Sequence, residues 1–434
     1  YNLDATKSCK GNIMAITEPP VPTSVEDTGV SRDLLMKLVA KTLQVHGTLS
    51  PSQIAREMRL PTGIVLSLLK DLQRLQFVES KGLAGHDMRS EVRYSLGGDG
   101  IHYSARANAQ SQYVGPAPVS LEAWIAQIRQ QTIADDHVTR DALKKQLSHL
   151  ILPDDIVTLL GPAVNSAKSV LLYGKPGNGK TSIAEAIGSS FSDRIFIPHC
   201  FEVGGQIINL FDPTLHTPDE EEESKTVSKP AFDQRWRRCK RPFVLTGGEL
   251  TLDMLDLSYN PVSRFYEAPI HLKAIGGVFV IDDFGRQRTD PQAVLNRWIV
   301  PLERRYDFLT LHTGKKFSVP FDQLAIFSTN IPPDELADAG ALRRLYYKIN
   351  IPTPSEDDFR VIFRDVAAAA EVPFDSDIFE AFFDRHYANG KAIPAGHHPK
   401  YIVDFIKSVC RFKEEELHMS AELLDGGWSN LTVS

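Results

Sequence analysis

The sequence predicts an α/β protein: a three-layer αβα domain on a parallel sheet, preceded by a small helix-and-hairpin domain and followed by an all-α domain. Three observations carry this. From 153 to 351, short apolar runs alternate with helical periodicities, the pattern of a parallel sheet covered by helices. Residues 31–96 hold three helical periodicities and then two strand-like runs. Residues 355–428 hold helical periodicities alone, as in Phe359, Ile362 and Phe363, or Ile402, Phe405 and Ile406. Composition agrees. A chain of 434 residues with 42% apolar content has the material for several cores. A net charge of −7 excludes a general polyanion binder. Cys9, Cys200, Cys239 and Cys410 are scattered without metal-site spacing, so a reduced, cytoplasmic protein without structural zinc is expected. No apolar run reaches the roughly 18 residues of a membrane span.

Met14 looks like a natural start, and residues 1–13 are expected to be an upstream extension. Residues 1–30 read as a disordered tail, rich in Pro, Thr, Ser and acid from 15 onward. Residues 31–97 follow as one domain. Leu34, Leu35, Leu38, Val39 and Leu43 recur at helical spacing, and Ser50-Pro51 is a good cap and first position for a second helix. Val65, Leu68, Leu69, Leu72 and Leu75 mark a third, all facing inward. The strand-like runs at 77–80 and 92–96 complete an order that resembles a winged helix-turn-helix. Its ten Lys or Arg against six Asp or Glu give a balance of +4, mildly favourable for phosphate contact. The first turn of the third helix, Pro61 to Val65, lacks the Arg or Asn that reads bases. DNA and a protein partner both remain open for this domain. Residues 98–150 read as linker and connecting helix.

The domain at 151–351 opens on Val170, Leu171 and Leu172, a buried strand, followed by Gly174-x4-Gly179-Lys180-Thr181. That spacing fills a phosphate-binding loop: successive N–H groups curl around one anion and the following helix adds its positive end. Gly174, Pro176, Gly177, Asn178, Gly179, Lys180, Thr181 and Ser182 are the expected nucleotide contacts, with Lys180 on the terminal phosphates and the Thr181 hydroxyl on Mg²⁺. Arg194–Pro198 reads as the second strand. An insertion follows at about 201–260, with an acid run at Asp219–Glu223 and a basic run at Arg235–Arg241 that read as solvated or partner-facing.

The second signal is Val278-Phe279-Val280-Ile281-Asp282-Asp283, a buried strand with two acids at its C-terminal end, where ligands of open α/β sheets bind. Asp282 would hold Mg²⁺ and Asp283 would orient and deprotonate a water. Leu324–Asn330 is a further strand, and Asn330 would hold that water against the γ-phosphate. Pro333–Arg344 reads as a helix ending in two arginines, Tyr346–Ile351 as the last strand, and 352–434 as a helical lid.

In this order, "GKPGNGKT", "VFVIDD", "FSTN", "ALRR" and the lid resemble the AAA+ ATPases over about 150–425. The resemblance implies ATP and Mg²⁺ at the interfaces of a ring, often a hexamer. It maps Walker A to Gly174, Gly179, Lys180 and Thr181, Walker B to Asp282 and Asp283, and sensor 1 to Asn330. It maps the arginine finger to Arg343 or Arg344, with Arg344 favoured and Arg304 and Arg305 as second candidates. Two departures stand out. Asp283 replaces the usual Glu, and Lys400 stands near the sensor 2 arginine without its fork. The expectation is a ring-forming ATPase that remodels or moves a macromolecular partner. The alternative is a nucleotide-gated switch that binds DNA through the N-terminal domain and hydrolyses slowly.

Overall fold

A computed structural model describes residues 16–83, 91–219 and 231–432. The extension expected before Met14 and the run from Glu220 to Glu223 lie outside the described residues.

The N-terminal unit has the expected order. Helix α1 (Arg32–His46) starts where the Ser31 hydroxyl accepts the Leu34 N–H. Helix α2 (Pro51–Met58) starts on a reciprocal capping box between Ser50 and Gln53 and ends at Arg59, which is left-handed. Helix α3 (Thr62–Arg74) buries Ile64, Val65, Leu68, Leu69 and Leu72, whereas Leu75, expected inward, falls at the C-cap where the helical periodicity ends and is exposed. Strands β1 (Val78–Leu83) and β2 (Val92–Leu96) pair antiparallel, with Val78 opposite Leu96. The expected linker is instead a helix, α4 (Gly98–Gln110), packed on α1: Lys37 Nζ donates to Gln110 and Lys41 Nζ to the Ser111 carbonyl. Its short residues and glycines hid a helix that tertiary packing supports. The described part of the expected tail is also packed. Val25 and Val30 are buried, and the Thr28 carbonyl accepts from Arg235.

The chain then enters the central sheet with β3 (Val170–Tyr173), followed by α5 (Lys180–Ser190). Strand β4 (Arg194–Pro198) does not join this sheet, contrary to expectation. It pairs antiparallel with β7 (Trp236–Lys240). Between them, β5 (Cys200–Val203) and β6 (Gln206–Asn209) form a hairpin in a separate five-stranded sheet. A fully buried run such as Ile195, Phe196 and Ile197 announces a strand but not which sheet it joins. The basic run is not a solvated face. Arg235 is buried in a pair with Asp233, and Arg241 in a pair with Asp136. Cys200 and Ile207 share a core with α1, α2 and α3, so the N-terminal unit is built onto the insertion.

The second strand of the central sheet is β8 (Phe243–Thr246). It is followed by β9 (Val278–Ile281) and helix α6 (Pro291–Arg297). A hairpin, β10 (Tyr306–Thr310) with β11 (Lys316–Pro320), precedes β12 (Leu324–Thr329). Strand β13 (Tyr347–Asn350) is last. The spatial order is β13-β3-β12-β9-β8, every pair parallel. Ile183 and Ile187 of α5 and Leu160 pack on one face, and Trp298, Phe284 and Leu255 on the other. Coverage on both sides explains why these strands are continuously apolar. Each side chain so buried contributes roughly 1.5–3 kcal/mol. The helix expected over Pro333–Arg344 is two short ones, Pro333–Leu336 and Ala339–Leu342; Asp338 restarts it by accepting the Ala341 N–H.

Four helices close the chain: α7 (Glu356–Ala369), α8 (Ser376–His386), α9 (His398–Lys413) and α10 (Ala421–Leu431). Phe359, Phe363, Phe379, Phe382, Phe383 and Ile402 form their common core.

Candidate nucleotide site

The C-terminal ends of β3, β9 and β12 stand side by side, and the residues that follow them meet. Lys180 opens α5 and is buried. Its ammonium donates to the carbonyls of Gly174 (3.0 Å) and Lys175 (2.9 Å) and to Asn330 Oδ1 (2.7 Å). The Asn330 amide nitrogen donates in turn to Asp283 Oδ1 at 2.9 Å. The Thr181 hydroxyl donates to Asp282 Oδ2 at 2.9 Å. Three stretches far apart in sequence thus converge as one hydrogen-bonded set. Burial lowers the pKa of Lys180, while the charges of Asp282 and Asp283 oppose that shift and favour the ammonium.

A cleft of about 650 Å³ opens over this set. Pro176 to Ser182, Asp282, Asp283 and Asn330 line its polar end. Leu150, Ile151 and Leu152 add apolar lining together with Ile362 and Val366 of α7. Arg286, His397 and Lys400 complete the rim. Inside the loop, Asn178 is buried and neither polar atom of its side chain has a hydrogen-bond partner. Buried amides are rarely left so, and a polar ligand in the cleft would satisfy this one.

Thr181 and Asp282 also fit a magnesium ion. They offer two hard oxygens, 2.9 Å apart, beside the phosphate loop. A magnesium ion bound there would keep waters and phosphate oxygens as its other ligands.

Lys400 lies on the first turn of α9 and lines the cleft. The sequence reading missed His397, whose ring rests on the loop at Gly177. A Cβ at Gly177 would fall 1.8 Å from His397 Nδ1, and its φ of +77° is one that side chains rarely adopt. Gly177→Ala is therefore expected to weaken nucleotide binding about tenfold, as strain of this kind costs on the order of 1–3 kcal/mol. His397→Ala in the same chain should recover part of the loss. A nucleotide titration giving unchanged affinity for Gly177→Ala would contradict this contact.

The two arginines at the end of the Ala339–Leu342 helix differ. Arg344 points inward, its Nε 3.0 Å from Glu303 and its side chain only 14% exposed. Arg343 is exposed. Arg344, favoured from the sequence, is thus held by Glu303, and Arg343 is the more accessible of the two. Arg305 is also engaged, 3.7 Å from Asp322 and over the Phe321 ring, whereas Arg304 is exposed.

The strand order has the P-loop strand between the last strand and β12, with the helical unit beyond it. The fold is a three-layer αβα arrangement on a five-stranded parallel sheet, with a phosphate-loop strand inside it and a helical unit at its C-terminal side. Comparison with known proteins adds the following. The family model DUF8689, a domain of unknown function, matches residues 355–430, the helical unit that brings Lys400 and His397 to the cleft. A vesicle-fusing ATPase of Dictyostelium discoideum is 47% identical over 55 residues, 13% of this chain and 7% of that protein's length. NtrX from Brucella abortus, crystallised with ATP, superposes with a TM-score of 0.41 at 14% identity over 67% of this chain and 61% of its own. RuvB from Thermotoga maritima, a Holliday junction branch migration motor, gives 0.36 at 13% over 71% and 74%.

Proposed function

We propose that this chain is an AAA+ ATPase that works as a ring of identical copies, often hexameric in such assemblies, and remodels or moves a macromolecular partner. The observation that carries the ATPase reading is the linked set of Lys180, Asn330 and Asp283, beside Thr181 and Asp282, under one cleft. Lys180 would give up its contact with Asn330 to neutralise the β- and γ-phosphates. Thr181 and Asp282 would hold Mg²⁺, which supplies charge neutralisation at the transferred phosphoryl group. Asp283 would orient the attacking water and accept its proton, with Asn330 holding carboxylate and water in register. The apolar lining at Leu150, Ile151 and Leu152 suits a base, and Lys400 supplies a second cation from the helical unit.

Arg343 would complete the site from a neighbouring copy, where developing charge on the phosphoryl group needs a cation. Arg343→Ala is expected to lower turnover about 10³-fold, the scale of trans-acting arginines, with nucleotide affinity nearly unchanged. Arg344→Ala should act through folding stability instead. The experiment measures phosphate release against protein concentration, with mass measured in parallel. Activity per subunit that rises as copies assemble supports the ring; activity that is constant while the protein stays monomeric contradicts it. The N-terminal unit, fused to the insertion by a common core, would serve as the partner-docking element. The first turn of α3, Thr62 to Val65, carries no Arg or Asn to read bases, and Lys70, Gln73 and Arg74 lie toward the far end of the helix.

A further inference from the structure

The turn after β9 has to do something unusual. Asp282 is still in the sheet ladder, its N–H donating to the Thr246 carbonyl at 2.7 Å. One residue later the backbone of Asp283 is left-handed, with φ of +47°. Gly285 is left-handed too, at +105°, and the Arg286 N–H closes the turn on the Asp283 carbonyl at 2.9 Å. Asp tolerates this region better than most side chains, yet it still costs on the order of 1 kcal/mol or more. Something must hold it there.

On one side the turn is pinned by the next residue. Phe284 is buried, its N–H donates to the Ser328 carbonyl (2.7 Å), and its own carbonyl accepts from the Thr329 hydroxyl (2.6 Å). On the other side a single carboxamide spans the turn. Gln287 Nε2 donates to the carbonyls of Asp282 (2.8 Å) and Asp283 (3.2 Å), and Gln287 Oε1 accepts the Gly285 N–H (2.8 Å). The pattern fixes the amide's orientation, because an N–H faces its oxygen and two carbonyls face its nitrogen. A carboxylate would offer no donor, and a hydrocarbon would offer nothing.

We propose that Gln287 is a positioning residue for hydrolysis: its carboxamide locks the turn in the form that presents the Asp283 carboxylate to Asn330 and the attacking water. This rests on the reading of Asp283 as the water-orienting group. Without Gln287 the turn is free to relax toward ordinary φ, which swings the Asp283 carboxylate away from the 2.9 Å contact with Asn330. Lys180 and Thr181 stand on α5, and the loop before them follows β3, so none of them would move. The consequence is a separation of chemistry from binding.

The test uses the full chain and the variants Gln287→Ala and Gln287→Met, the second keeping the side chain's length. Single-turnover hydrolysis of ATP with Mg²⁺ is measured with enzyme in excess, alongside ATP affinity and thermal midpoint. Expected is a loss of about 10- to 100-fold in the hydrolysis rate, the scale of a catalytic group misplaced by about an ångström. ATP affinity should stay within about twofold and the midpoint close to wild type, as for loss of an interaction made only in the transition state. In an Asp283→Asn background, Gln287→Ala should cost nothing further, because the two act as one unit. A wild-type rate for Gln287→Ala, an equal loss in both backgrounds, or a matching loss of affinity would each overturn the proposal. If Asp283→Asn itself hydrolyses at the wild-type rate, the underlying reading of Asp283 has failed instead, and the single-variant data tell the two failures apart.

Discussion

Lys180→Ala is expected to abolish ATP binding at millimolar nucleotide, the largest effect of any single substitution in the chain. The side chain is buried at the start of α5, and two loop carbonyls and Asn330 surround its ammonium. A triphosphate in the cleft would meet this charge at short range in a partly desolvated setting, where Coulomb attraction is several times stronger than in water. Removing it leaves phosphate oxygens facing the loop carbonyls and the carboxylates of Asp282 and Asp283 with no compensating charge. The core is not at risk, since Ile183, Ala184 and Ile187 hold α5 to the sheet. Calorimetric titration checks this: no heat of binding with an unchanged unfolding transition is expected, and wild-type affinity would contradict the assignment of the loop.

Asp283→Asn is expected to do the opposite, leaving ATP bound and stopping turnover. Asn keeps the size and tolerates the left-handed backbone, so the turn should survive. It also keeps an oxygen that accepts from Asn330 Nδ2. What it loses is the base. A carboxamide does not take the proton of the attacking water, and general-base removal typically costs roughly 10²–10⁴-fold. Nucleotide affinity should hold or rise slightly, because one negative charge leaves the phosphate end. Rapid-quench measurement of bound ATP over time would show persistence of the triphosphate. Asp283→Glu is a useful companion: it restores the longer side chain usual in the resembling family and should retain measurable turnover.

The motifs that were legible in sequence are those whose residues are contiguous. Gly174 to Thr181 must be contiguous because a single curled loop makes the anion site, and Asp282-Asp283 because one strand end carries both acids. Asn330 was legible by its place after a buried strand. What the sequence concealed is set by packing between distant segments. Strand β4 is as apolar as the strands of the central sheet but pairs with β7, and no local pattern distinguishes the two outcomes. Helix α4 was hidden by Gly98 and Gly100, which weaken helix propensity until α1 supports the helix. Arg344 and Arg343 are adjacent in sequence, and only Glu303, on another helix, separates an inward from an outward arginine. His397 on Gly177, the apolar lining at Leu150 to Leu152, and Gln287 across the turn had no motif to announce them. For Gln287 a signal was present in principle, a side-chain amide two residues beyond a glycine in the turn after the two acids.

The docking of the helical unit gives the cleft its lid-like side. Residues 355–430 supply Ile362, Val366, His397 and Lys400 to a cavity whose other wall is the phosphate loop. On the proposed reading, a change at the phosphates would reach α9 through His397, and rotation of that unit would be a route from hydrolysis to movement.

The most direct test is release of inorganic phosphate from ATP and Mg²⁺ by the full wild-type chain, run beside Asp283→Asn under saturating nucleotide. Steady release by the wild type, with ATP bound but intact on the variant, is the expected result. Equal release by both chains, or a wild type that binds ATP and releases no phosphate at any protein concentration, would contradict it.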